Sequence, residues 1–159
     1  MFPVDLLNEA AALLDRLRAQ GLRLATAESC TGGLIAALFT EVAGSSDVIE
    51  RGFVTYSNAA KTELLGVAYD LLARHGAVSE PVARAMVQGA LTHSHADVAV
   101  SVTGVAGPGG GTAAKPVGLV HIAAMRTGGD ILHRECRFGA IGRGPIRLAS
   151  VAVALQLIS

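Results

Sequence analysis

Ser29 and Cys30 are the two side chains whose surroundings best suit a nucleophile. They lie in Thr26-Ala27-Glu28-Ser29-Cys30-Thr31-Gly32-Gly33, between the apolar run Leu22-Arg23-Leu24-Ala25 and the amphipathic run Leu34-Ile35-Ala36-Ala37-Leu38-Phe39. The pattern predicts a strand, a tight turn of small residues, and a helix whose first turn is Thr31-Gly32-Gly33. A helix start leaves backbone N–H groups unpaired and carries partial positive charge, so it favours a phosphate or a developing oxyanion. Two glycines there allow a ligand close to the backbone. A hydroxyl or thiol at the mouth of such a turn has the geometry of a strand-to-helix nucleophile elbow, although the G-x-S-x-G pattern is absent. The same residues also suit a plain turn, with Ser29 or Thr31 as a helix cap.

A base for such a nucleophile has one candidate in the next segment. Tyr56 and Lys61 stand five residues apart across a break between an extended run and a short helix, and can converge on one pocket. A lysine made neutral by burial is a general base for serine, with tyrosine as a proton relay or substrate ligand. Equally, the pair reads as an exposed lysine and a sheet-edge tyrosine. A second loop, Gly104-Val105-Ala106-Gly107-Pro108-Gly109-Gly110-Gly111, follows the buried run Asp97-Val98-Ala99-Val100-Ser101-Val102-Thr103. Strand ends of this kind hold ligands in open α/β sheets. The loop is not G-x-G-x-x-G opening a helix, which excludes a Rossmann or P-loop site. Thr103 is placed to bond a ligand oxygen or to cap its strand. The five histidines, at 75, 93, 95, 121 and 133, make no metal-binding pair at helical spacing.

These loops need elements to hold them. Leu6, Leu7, Ala10, Leu13, Leu14 and Leu17 recur at helical spacing, with Gly21 beyond the end. Val48–Ser57 reads as extended, Asn58–Leu65 as a short helix closed by Gly66, and Asp70–Arg74 as another. Ser79-Glu80-Pro81 predicts a helix start with Ser79 as cap. Val117–Met125 and Ile131–Phe138 form a hairpin turned at Thr127-Gly128-Gly129-Asp130, and Gly142–Ser159 closes the chain as a helix. Strands alternating with helices, followed by a hairpin, predict a single three-layer α/β/α domain with a mixed sheet over residues 1–159.

Composition narrows the classes of function. Of the 159 residues 51% are apolar and 16% charged, which suits a compact fold and excludes disorder. Thirteen basic and thirteen acidic residues cancel, and aromatics are 4%, so neither charge nor stacking favours nucleic acid. No apolar run approaches the ~20 residues that span a bilayer, and Asp5 and Glu9 interrupt the N-terminal apolar residues, unlike a signal peptide. The expected location is the cytoplasm, with Cys30 and Cys136 reduced.

Four motifs in order resemble the CinA C-terminal domain family: Thr26–Gly33; Gly52-Phe53-Val54-Thr55-Tyr56-Ser57-Asn58 with Lys61; Gly76-Ala77-Val78-Ser79; and Val102-Thr103-Gly104-Val105-Ala106-Gly107-Pro108-Gly109-Gly110 with Lys115-Pro116-Val117-Gly118. The resemblance covers nearly the whole chain and matches the stand-alone form, without the molybdopterin-binding-like domain of longer members. The enzymes of that family are nicotinamide-nucleotide amidohydrolases. The resemblance therefore implies hydrolysis of the carboxamide of nicotinamide mononucleotide to nicotinate mononucleotide and ammonia, with no cofactor and no metal. It implies Ser29 as nucleophile, Lys61 and Tyr56 as activating residues, and Thr31, Gly32, Gly33, Thr103, Gly104, Gly107 and Gly109 as substrate-binding. It also points to a homodimer. The 5′-phosphate is expected at the Gly104–Gly111 loop with Lys115 or an arginine. One departure is Gly142-Arg143-Gly144-Pro145-Ile146-Arg147, where the family often has an acidic residue before the arginine. Two rival readings remain open: Cys30 as nucleophile, because helix N-termini lower thiol pKa values, and a non-catalytic nucleotide-binding or regulatory protein that uses the same loops.

Overall fold

In the computed structural model, which describes all residues Met1–Ser159, the strands are β1 (Leu24–Glu28), β2 (Ile49–Val54), β3 (Val98–Gly104), β4 (Leu119–Arg126) and β5 (Ile131–Arg137). The helices are α1 (Val4–Ala19), α2 (Leu34–Glu41), α3 (Asn58–Leu65), α4 (Tyr69–His75), α5 (Glu80–Thr92) and α6 (Arg143–Ile158). The five strands make one sheet in the order β2-β1-β3-β4-β5. The β1 strand pairs parallel with β2 and β3, whereas β3-β4 and β4-β5 are antiparallel. The mixed three-layer α/β/α architecture expected from the sequence is the one formed.

The strand residues alternate between two cores. Leu24, Val98, Val100, Val102, Val120 and Ile122 face α1, α2 and α6 in a cluster with Leu13, Leu14, Phe39, Ile146 and Leu155. Ala25, Ala27, Ala99 and Ala123 face the other way, onto Val82, Ala83, Met86 and Val87 of α5. Small strand residues on that side let α5 lie close to the sheet, and the Ser101 hydroxyl donates to the Ala83 carbonyl at 2.7 Å. Gly89 of α5 repeats this logic toward α3. A Cβ there would lie 2.0 Å from the Leu65 carbonyl oxygen, so only glycine lets α3 pass this close. No helix is long and apolar enough to cross a membrane.

Two local expectations change. Thr26–Glu28 belong to β1 rather than to the turn, because all five β1 residues are buried between parallel neighbours. Ser79 does not cap α5; its hydroxyl donates to the Gly76 carbonyl at 2.8 Å. Both cysteines are free and buried.

Candidate active site

Strands β1, β2 and β3 run parallel, so their carboxyl ends deliver Ser29, Thr55 and Gly104 to the same edge of the sheet. Ser29 follows β1, its N–H bonded to the Val102 carbonyl at 2.9 Å. Thr55 follows β2, its N–H bonded to the Glu28 carbonyl at 2.8 Å. Ser57 then caps α3, accepting from the Ala60 N–H at 3.0 Å, and this helix carries Lys61 back toward the turn.

Lys61 is only 1% exposed. Its Nζ lies 2.9 Å from Ser29 Oγ and 2.7 Å from the Thr55 carbonyl oxygen. It forms no salt bridge. Burial pushes its pKa below the usual lysine value, slightly opposed by the nearby Cys30 sulfur. A neutral amine fits these contacts. Its N–H groups donate to the Thr55 carbonyl and to Ser29 Oγ. The Thr55 carbonyl thus fixes the direction of the amine toward Ser29, the arrangement a nucleophile–base pair requires.

The Cys30 thiol is buried, which pushes its pKa up to about 11. Such a group stays a thiol at neutral pH, so the geometry favours Ser29 over Cys30. Tyr56 is 62% exposed, and its hydroxyl accepts from Arg143 at 2.8 Å, with no hydrogen bond to Ser29 or Lys61. Lys61 reaches Ser29 directly, so no tyrosine relay is needed in this arrangement. Tyr56 instead forms part of the cavity rim.

The N-terminus of α2 is not open to a ligand. Glu28 is fully buried, and its carboxylate accepts from the N–H groups of Gly33 (3.1 Å), Ile35 (3.0 Å) and Ala36 (2.9 Å). It replaces the side-chain cap that Gly33, at φ 100°, cannot provide. The Gly32 N–H goes to the Ser29 carbonyl at 3.0 Å. Neither glycine therefore has a donor left for substrate, contrary to the sequence expectation, and neither Ser29 nor Thr31 caps the helix. The N–H groups of Cys30 and Thr31 have no hydrogen-bond partner in the molecule, and neither do those of Ala106, Gly107, Gly109 and Gly110.

A cavity of about 320 Å³ opens over Ser29 and Lys61, within the ordinary size range of small-molecule sites. Its lining includes Tyr56, Thr103, Gly104, Gly107, Gly109 and Arg143, but not Thr31, Gly32 or Gly33. The Thr103 hydroxyl donates to the Ala77 carbonyl at 2.8 Å, so it props the cavity wall. The Arg143 guanidinium donates to the Gly107 carbonyl at 2.8 Å as well as to Tyr56. Both partners are neutral. The lining therefore contains two basic side chains and no acidic one. Lys115, the other cation considered for a phosphate, donates to the His75 carbonyl and lies outside this lining. His121 and His133 hydrogen-bond each other at 3.0 Å between β4 and β5.

Three groups escaped the sequence reading: the Glu28 carboxylate, the Thr55 carbonyl and Arg147. Glu28 had one available signal, since an acid directly before a nucleophile and a glycine-started helix is an expected partner for the vacant N–H groups. Arg147, on α6, donates to the Cys30 carbonyl (3.1 Å) and the Thr31 carbonyl (2.8 Å) from over a hundred residues away, which no local pattern signals.

A buried serine–lysine pair at the strand ends of an α/β domain defines the general class. The family model for the CinA C-terminal domain matches residues 7–159, and the chain belongs to that family. It is 52% identical to the nicotinamide-nucleotide amidohydrolase PncC of Escherichia coli K12, over 89% of this chain and 86% of that protein. It is 51% identical to a CinA-like protein of Mycolicibacterium vanbaalenii over 97% of this chain, but spans only 37% of that longer protein. Among solved structures, the competence/damage inducible protein CihA of Agrobacterium tumefaciens superposes with a TM-score of 0.98 at 53% identity, covering 99% of this chain and 96% of that one. A CinA superfamily protein of Escherichia coli gives 0.92 at 36% identity, over 99% and 91%.

Proposed function

We propose that this protein is a serine amidohydrolase that converts nicotinamide mononucleotide and water to nicotinate mononucleotide and ammonia, serving pyridine-nucleotide salvage in the cytoplasm. The observation that carries the reading is the 2.9 Å contact between Ser29 Oγ and a buried Lys61 that has no anionic partner. The likeness to PncC supports the substrate, and the Arg143 guanidinium in a cavity lined by no acidic side chain suits an anionic ligand.

In this reading Ser29 Oγ bonds to the carboxamide carbon while its proton passes to neutral Lys61 Nζ. The carbonyl oxygen becomes an oxyanion facing the free N–H group of Cys30, which lines the cavity beside Ser29. Collapse breaks the C–N bond, and the proton on Lys61 goes to the departing nitrogen, which leaves as ammonia. Water then gives a proton to Lys61 and attacks the acyl-serine carbon. The second collapse returns that proton to Ser29 Oγ and frees nicotinate mononucleotide. Arg143 and the unpartnered N–H groups of the Gly107–Gly110 segment hold the 5′-phosphate. Tyr56 and Thr103 bound the substrate cavity, and Gly104 lets β4 pass close beneath it, since a Cβ there would lie 2.8 Å from the Leu119 carbonyl oxygen. The chemistry is complete without a cofactor.

Ser29→Ala is expected to abolish ammonia release from nicotinamide mononucleotide while leaving the circular-dichroism melt cooperative. Comparable turnover in the variant and the parent would reject Ser29 as nucleophile. The competence- and damage-inducible names of the structural relatives keep a second reading in view. A non-catalytic nucleotide-binding protein would give saturable binding in calorimetry with no ammonia at any enzyme concentration.

A further inference from the structure

The turn that carries Ser29 is gripped from both sides by groups that take no part in the bond changes above. On the helix side, the Glu28 carboxylate uses up the N–H groups of Gly33, Ile35 and Ala36. On the other side, Arg147 of α6 holds the carbonyls of Cys30 and Thr31. What remains unbonded between these grips is the pair of N–H groups at Cys30 and Thr31.

Peptide connectivity links Arg147 to both of them. The Cys30 carbonyl and the Thr31 N–H belong to one planar trans peptide, so a donor on that carbonyl fixes the N–H direction and polarises it. The second path is one peptide longer. Arg147 Nη2 donates to the Thr31 carbonyl, whose peptide partner, the Gly32 N–H, donates to the Ser29 carbonyl at 3.0 Å. The peptide partner of the Ser29 carbonyl is the Cys30 N–H. Each free N–H thus ends a chain of aligned dipoles whose other end is a guanidinium. Cys30 lines the cavity beside Ser29, so its N–H is available where negative charge develops.

We propose that Arg147 is a positioning residue for acyl transfer at Ser29, acting through the Cys30 and Thr31 carbonyls to fix and polarise the turn whose Cys30 N–H stabilises the oxyanion. This rests on Ser29 as the nucleophile but not on the identity of the substrate. The guanidinium is suited to the task because its fork spans two carbonyls, which a lysine ammonium on one flexible stem cannot match.

The test uses the whole chain and two reactions. A fluorophosphonate probe reports Ser29 reactivity without any nucleotide: an Oγ–P bond forms, fluoride leaves, and the serine proton goes to Lys61. Ammonia release from nicotinamide mononucleotide reports turnover. Arg147→Ala is expected to lower the labelling rate and kcat together by about 10–100-fold, at or below the loss from removing a whole oxyanion donor. KM should stay within about threefold, and the pH at which labelling becomes half-maximal should not move, since Lys61 is untouched. Guanidinium added at sub-denaturing concentration should restore part of both rates, and Arg147→Lys should fall between parent and Arg147→Ala.

Parental labelling and kcat in a folded Arg147→Ala protein would overturn the proposal. So would a raised KM with kcat unchanged, which would make Arg147 a substrate ligand. If Arg147→Ala fails to fold, Arg147→Lys carries the same comparison, and a parental rate there overturns it. If the parent labels but releases no ammonia, the substrate reading fails and the labelling still decides Arg147. If the parent labels no faster than Ser29→Ala, Ser29 is not activated and the proposal falls with it.

Discussion

Lys61 offers a test of the dyad that needs no substrate. In the unfolded chain its amine titrates near 10.5, and burial lowers that value in the folded protein. Between the lowered pKa and 10.5 the unfolded state binds more protons than the native state, so the free energy of unfolding rises with pH across that window. Below the lowered pKa both states are protonated and the desolvation penalty is constant. The slope contributed by one such group reaches at most about 1.4 kcal/mol per pH unit. Lys61→Met has similar length and no titration, so this slope should vanish from it. The variant leaves the buried Thr55 carbonyl without the partner now at 2.7 Å, at a cost of about 1–3 kcal/mol. It also no longer has to desolvate an amine, which offsets part of that cost. Urea melts of parent and Lys61→Met at a series of pH values up to 10.5 measure the difference directly. Ammonia release in the parent should rise with pH over the same window, and Lys61→Met should lose at least the ~10²–10⁴-fold expected of a general base. Lys61→Arg should be equally inactive, because arginine stays protonated and cannot accept the serine proton. Parallel stability curves for parent and Lys61→Met would show that Lys61 titrates as an ordinary surface lysine. Turnover within tenfold of the parent would remove it as the base.

Other expectations follow from single contacts. Cys30→Ala should keep most of the turnover, and the parent should resist iodoacetamide in its folded state at neutral pH, because the buried thiol has a pKa of about 11; rapid alkylation with matching inactivation would revive Cys30 as nucleophile. Gly89→Ala should cost about 1–3 kcal/mol in urea melts, since the new methyl meets the Leu65 carbonyl, and it should lower kcat because α3 carries Lys61; unchanged stability and kcat would show that the α3–α5 contact is compliant. Val54, Tyr69, Leu132 and Ile141 are all exposed, and together with the family resemblance they suit a homodimer, so light scattering is expected above the 16.2 kDa of one chain; a monomer at micromolar concentration contradicts this.

The fold was legible in the sequence because most of its elements are locally specified. The leucine spacing of α1, the Thr127-Gly128-Gly129-Asp130 turn between β4 and β5 and the glycines that end α3 and α4 each encode their own structure. The Ser29 turn and Gly104 loop were legible as site loops for a similar reason, since both follow buried strand residues. Local patterning failed where a long-range partner decides the outcome. Thr31-Gly32-Gly33 carries every signal of an open helix start, yet the Glu28 carboxylate fills it from the preceding strand, which only the direction of β1 side chains determines. Lys61 was legible as a candidate but not as a buried amine, because its amine lies against Ser29 and the Thr55 carbonyl at the ends of β1 and β2, a juxtaposition set by the sheet and not by local sequence.

The Glu28 contacts bear on where a bound anion can sit. A phosphate at the α2 N-terminus would compete with the Glu28 carboxylate for the Gly33, Ile35 and Ala36 donors, and it would be drawn to the turn that must stabilise an oxyanion. With Glu28 seated there, the helix dipole is already answered within the chain, and a dianionic group is repelled from the nucleophile's own helix. In the proposed reading the phosphate is left with Arg143 and the free N–H groups of the glycine loop, on the β3 side of the cavity. In the same proposed reading the carboxamide is left with the Cys30 donor on the β1 side. Because β1 and β3 are adjacent and parallel, the two loops lie side by side at one sheet edge, and in the proposed reading the substrate lies across them with its phosphate toward β3 and its carboxamide toward Ser29.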